Sequence, residues 1–111
     1  MKTTPETAAY LADQMSGAGE VRVSKMFGEY GVHVDGKFAG LICEGRLFVK
    51  KTEASDAMMP DGETAPPYDG AKPYPVVPEE RWDDADFMAA LFGKTAAALP
   101  APKPKKGKAR G

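Results

Sequence analysis

Residues 21–51 read VRVSKMFGEYGVHVDGKFAGLICEGRLFVKK, and this stretch decides the fold. Apolar residues recur with a period of two, and Asp35-Gly36 and Glu44-Gly45 supply residue pairs suited to two-residue hairpin turns. The pattern predicts a three-stranded antiparallel meander reversing at those two pairs. Uninterrupted hairpins would set Tyr30 opposite Leu41, Gly28 opposite Cys43, and Leu41 opposite Phe48. That register puts Tyr30, Val32, Val34, Ala39, Leu41, Cys43 and Phe48 on one side of the sheet. Phe27, His33, Phe38, Ile42, Leu47 and Val49 fall on the other. Both sides are apolar, and a bulge at Gly28 or Gly31 would mix the two sets.

A small antiparallel sheet normally leaves one face to water, so two apolar faces demand two covers. Helices of the same chain supply one. The other calls for a later segment or a second subunit, which predicts a homodimer with Phe27, Phe38, Ile42, Leu47 and Val49 as its interface.

The flanking segments supply the helices. Thr4-Pro5-Glu6 has a capping hydroxyl followed by a proline where no donor is needed, and Ala8, Leu11, Ala12 and Met15 form one stripe. A helix is predicted over 5–16, with Gly17 as its stop. Thr52 to Met59 reads as a short helix capped by Thr52 and burying Ala57 and Met58. Six prolines at 60, 66, 67, 73, 75 and 78 limit the next segment to short edge strands near 67–68 and 74–77. The last helix is expected from Pro78, with a step at Asp83-Asp84, to Leu99, carrying Met88, Leu91, Phe92, Thr95 and Leu99 on one face. The fold class is therefore α+β, a two-layer arrangement in which the meander and one or two short strands are packed by helices. Residues 1–99 form the domain and 100–111 a Pro/Lys-rich disordered tail.

Composition bounds the function. The chain has 111 residues, 15 Lys plus Arg against 16 Asp plus Glu, and a single Cys. That is one domain with no internal disulfide and no apolar run long enough for a membrane span, and cytoplasm is the default compartment. Lys103, Lys105, Lys106, Lys108 and Arg110 gather in the tail, leaving residues 1–99 with 10 basic and 16 acidic groups, a net of −6. The tail could hold a polyanion, but the acidic body repels phosphates, so nucleic-acid binding is expected to be weak and salt-dependent.

No complete catalytic motif is present, no cofactor is expected, and the chain is read as a non-enzyme. A cysteine nucleophile needs a base within reach, and the only His is His33. In the predicted register it lies about 16 Å from Cys43 and on the opposite face. One Cys and one His make a poor zinc set. Asp83, Asp84 and Asp86 suit a helix start better than a metal cluster. Gly28-Glu29-Tyr30-Gly31 lacks the spacing of a phosphate loop and is read inside a strand. Tyr30, Phe38, Phe48, Tyr68, Tyr74 and Trp82 could in principle stack bases, yet such aromatics more often build a core. A small-molecule site using Glu29, Tyr30, His33 and Arg46 is the remaining chemical alternative.

Lys25-Met26-Phe27-Gly28-Glu29-Tyr30-Gly31, then Asp35-Gly36-Lys37-Phe38, Leu41-Ile42-Cys43 and Gly45-Arg46-Leu47-Phe48-Val49-Lys50, resembles the TfoX/Sxy amino-terminal domain family. Tyr74-Pro75-Val76-Val77-Pro78 before an acidic step and a closing helix is similar as well. The likeness covers roughly residues 4–98. It implies a secretion-chaperone-like α+β domain whose relatives often dimerise, and a regulatory role in natural competence alongside the cyclic-AMP receptor protein. It implies no catalytic residues. Full-length members carry a second domain where this chain has its Pro/Lys tail, so a stand-alone domain is expected to contact a protein partner, with the transcription machinery as the candidate.

Deleting residues 100–111 should abolish any retention on a polyanion column at low salt. Equal retention of the truncated chain would remove the tail as the contact.

Overall fold

The computed structural model describes residues 3–26 and 28–100. It is α+β: a six-stranded open antiparallel sheet with three α-helices. Helix α1 spans Pro5–Gln14, and the strands are β1 (Val21–Met26), β2 (Glu29–Val34), β3 (Lys37–Cys43) and β4 (Arg46–Val49). Helix α2 (Glu53–Met58), β5 (Thr64–Ala65), β6 (Tyr74–Val77) and α3 (Ala85–Ala98) follow. The strand order is β1-β2-β3-β4-β6-β5.

The meander has four strands rather than three, because the chain also reverses between Met26 and Glu29. Gly28 takes φ 82° there, so it belongs to a turn and not to a strand interior. The other two reversals fall where the sequence puts them. Asp35 and Gly36 have φ of 52° and 82°, Glu44 and Gly45 have 53° and 74°, the positive pairs a type I′ hairpin requires. Glu44 is an unusual residue for that conformation, at a cost of roughly 1 kcal/mol. Two contacts hold the turn: the Glu44 N–H donates to Glu29 Oε2 at 3.1 Å and the Gly45 N–H to Thr3 Oγ1 at 3.0 Å. At the opposite end Asp35 exchanges two bonds with Glu20, fastening the start of β1 to the β2–β3 turn.

Between β2 and β3 the register changes. His33 pairs with Phe38, but Val32 pairs with Gly40, which leaves Ala39 as an extra, bulged residue. Beyond it Gly31 faces Leu41 and Tyr30 faces Ile42, one step from the uninterrupted register. The β3–β4 pairing is as expected, with Leu41 opposite Phe48 and Ile42 opposite Leu47. Because side chains alternate along a strand, the bulge exchanges half of each predicted face for half of the other. The helix-covered face carries Tyr30, Val32, Val34, Ala39, Ile42, Leu47 and Val49. The opposite cluster holds Leu41, Cys43, Phe48 and Val76, with Phe38, Ala65 and Tyr74 packed against it. Both faces remain apolar, with different members.

The helices start where the sequence caps them. Thr4 Oγ1 accepts from the Thr7 N–H, Thr52 and Ser55 form a reciprocal capping box, and Asp84 accepts from the Phe87 N–H. Helix α1 buries Ala8 and Leu11 and then tightens into a 3₁₀ turn over Ser16–Ala18, so its stop is Gly19, with φ 141°, rather than Gly17. In α2 Ala57 is exposed, whereas Met58 and Met59 pack on the core. A 3₁₀ turn over Glu79–Arg81 precedes α3, which buries Phe87, Met88, Leu91, Phe92, Thr95 and Ala96. Lys37 reaches across from β3 to donate to the carbonyls of Ala96 and Leu99 at 2.9 and 3.1 Å, placing a cation on the last turn of α3. Trp82 seals one end of the core: its Nε1–H donates to the Val77 carbonyl and its own carbonyl accepts from Gln14, while Tyr10 bonds Asp83.

The proline-rich segment holds one real edge strand, β5, and not at 67–68. Strand β6 is internal, between β4 and β5, because Pro75 sits beside Thr64 and the next residue supplies the N–H that bonds the Glu63 carbonyl at 2.9 Å.

Gly40 is the tightest point of the sheet. A Cβ there would run into the Phe48 carbonyl oxygen and stand 3.1 Å from the Phe92 ring. Gly40→Ala should therefore lower unfolding free energy by about 2 kcal/mol or more, read by denaturant titration. Gly45→Ala meets no neighbour and costs only its φ.

Candidate interaction surface

The residues singled out for chemistry do not converge. Tyr30 points into the helix-covered core, and His33 stacks against Phe38 on the other face with ring centroids 5.4 Å apart. Glu29 braces the Glu44 turn, and Arg46 pairs with Glu63 at 2.8 Å. The bulge puts Cys43 and His33 on the same face, not opposite ones. They are nevertheless five residues apart along the sheet, since His33 lies beside Phe38, which keeps them about 16 Å from each other. Among the described residues no group of three or more His, Cys, Asp or Glu could hold a metal ion. Asp84 serves as the α3 cap. The aromatic set is split as well: Tyr30 and Trp82 belong to the main core and Phe48, 1% exposed, to the second cluster, so the six do not share one exposed surface.

The predicted interface divides likewise. Ile42, Leu47 and Val49 are fully buried under the helices, because the bulge turns β3 over beyond Ala39 and carries its β4 partners with it. They are corrected from interface to core. Phe38 stays on the opposite face and is half-buried. Phe27 lies outside the described residues, as do Lys103, Lys105, Lys106, Lys108 and Arg110.

The second face of the sheet carries a smaller cluster of its own, and no member of that cluster comes from a helix. Its centre is closed: Leu41, Cys43, Phe48 and Val76 are each under a tenth exposed. Its margin is partly open, with Phe38 and Tyr74 half-buried and Tyr68 61% exposed. A recess of about 450 Å³ lined by Met26, Glu29, Leu41, Cys43 and Tyr68 opens at one end. The other end carries Lys50, whose Nζ stands 5.8 Å over the Phe38 ring. One end of the face is thus acidic and the other basic. Burial chiefly, and then the charges of Glu29 and Glu44, push the Cys43 thiol above its ordinary pKa. Burial raises the Tyr74 hydroxyl too, with Tyr68 adding to it.

A further feature was illegible without the Met26–Glu29 reversal. Once that turn exists, β1 becomes the outermost strand. Its outer side makes no hydrogen bond among the described residues. Among those residues there is also no helix long and apolar enough to cross a membrane.

A raised thiol pKa means less thiolate at neutral pH, so Cys43 should react with an aromatic disulfide reagent at least about tenfold more slowly in the native chain than in denaturant. Because the folded state holds the proton more tightly, its contribution to stability is present at low pH and lost as pH climbs past the ordinary thiol range.

The TfoX N-terminal domain model matches residues 13–99. An uncharacterized 12.7 kDa protein from the trpE 5′ region of Spirochaeta aurantia is 41% identical over 110 residues, covering 99% of this chain and 95% of that protein. The four-strand meander, the proline segment and the closing helix all lie within the matched region, and the chain belongs to the TfoX N-terminal domain family.

Proposed function

We propose that this is a non-catalytic regulatory domain that acts by protein–protein contact, as a homodimer, in the control of gene expression. The observation that carries it is the second face of the sheet. It has an apolar cluster to which no helix contributes, rimmed by Phe38, Tyr74 and the exposed ring of Tyr68. A soluble domain rarely keeps aromatic side chains at the margin of such a cluster unless something is to pack on them. Charge favours a second copy as the cover. Two faces brought together with their strands antiparallel set the Lys50 end of one against the Glu29 end of the other, twice, about a two-fold axis. The family supports regulation as the role, and the distance between Cys43 and His33 argues against nucleophilic chemistry. The transcription machinery is the partner that the likeness to competence regulators suggests, and the cytoplasm is the matching compartment.

Light scattering over a dilution series should return twice the chain mass. Phe38→Asp should return the monomer mass with unchanged helical circular dichroism, while Ile42→Asp should unfold the chain, since Ile42 is core. A wild-type monomer at every concentration, or a Phe38→Asp chain that stays dimeric, overturns the assignment of this face.

A further inference from the structure

A sheet that does not close on itself has two edges, and these two are unlike. The β5 edge is two residues long and runs into Pro66 and Pro67, which can donate nothing to a new ladder. The β1 edge is six residues long and pairs with β2 in unbroken register from Val21↔Val34 to Met26↔Glu29. It contains no proline and no bulge, the usual devices that stop a strand from recruiting another. Along its outer side the backbone makes no hydrogen bond among the described residues.

The side chains on this edge select as well as guard. Arg22 and Lys25 are exposed and, three positions apart, project to opposite faces of the sheet. Between them Val23 is half-buried against the main core and Ser24 is exposed. Arg22 has only Glu20 as an ionic partner, at 3.4 Å with both side chains largely in water, a pair worth little and easily exchanged. Two cations on an otherwise acidic body repel basic strands and leave apolar ones without a match for either charge. A second copy is a poor occupant, because a two-fold antiparallel β1–β1 pair centred on Val23 sets Arg22 against Ser24 and Lys25 against Val21, leaving both cations without a carboxylate.

We propose that β1 binds an extended acidic segment of a protein partner by strand addition, with carboxylates beside Arg22 and Lys25 and an apolar side chain beside Val23. The backbone of Val21–Met26 supplies the hydrogen bonds, and the two cations set the specificity. This rests on the protein-contact reading above and gives that contact its chemistry, but it uses a surface separate from the Phe38 face.

The probe is a nonapeptide of three Glu-Thr-Val repeats, whose carboxylates recur every third residue and so reach both faces of the edge, titrated into the full chain and followed by backbone amide NMR, with the Lys-Thr-Val nonapeptide as control. Saturable shifts confined to residues 20–26, slowed amide exchange there, and affinity that falls with added salt are expected. Arg22→Glu/Lys25→Glu, two exposed positions, should weaken the Glu-Thr-Val peptide about tenfold or more and turn preference towards the Lys-Thr-Val peptide. Methylating the peptide amides that face β1 should abolish binding. No shift in β1, equal binding of both peptides, or shifts that appear on dilution without peptide each overturn the proposal, the last by giving the edge to a second copy. The mass of the Phe38→Asp chain reads the other face, so failure of either assignment leaves the other standing.

Discussion

Ala39 has no partner across the β2–β3 ladder, and the rest of the sheet is arranged around that fact. With Phe38 beside His33 and Gly40 beside Val32, the bulged residue lets Ala39 and Gly40 both turn toward the helices. Gly40 then brings β3 against the Phe48 backbone and the Phe92 ring, an approach that no larger residue could make. From that point on, Ile42 faces the helices and Leu41 and Cys43 face away. Because β4 takes its register from β3, Leu47 and Val49 follow Ile42 into the main core and Phe48 follows Leu41 to the second cluster. One extra residue therefore decides which seven side chains the helices cover.

Elements specified by local chemistry were readable directly. The caps at Thr4, Thr52 and Asp84, the two positive-φ turns and the α3 stripe each depend on residues within a few positions of one another. What could not be read was set by packing across the sheet. Nothing in Phe38-Ala39-Gly40-Leu41 announces a bulge, since small residues are equally at home in a regular strand. The Met26–Glu29 reversal was hidden because Gly28 and Gly31 flank an apolar-polar alternation that continues through it. The cation at the end of α3 is likewise supplied from a distance, by Lys37 of the sheet.

The same distinction governs the site. Cys43 and His33 do not lie on opposite faces as the uninterrupted register has them: the bulge brings both to one face, and strand rise alone keeps them apart. The interface list failed for the converse reason. It depended wholly on face assignment, so Ile42, Leu47 and Val49 moved together into the core while Phe38, on the near side of the bulge, kept its place.

These geometric details bear on how the domain can act. Glu29 and Arg46 are committed to holding turns and loops and Tyr30 to the core, and burial raises the Cys43 thiol pKa. Its surfaces are less committed. In the contacts proposed above, the face would be recognised by apolar packing and the edge by backbone pairing tuned with charge. Because β1 is fastened to the core through Val21 and Val23 and to the β2–β3 turn through Glu20 and Asp35, an added strand would meet a rigid template and lose little to ordering. The proposed homodimer would therefore occupy one surface and leave the other open.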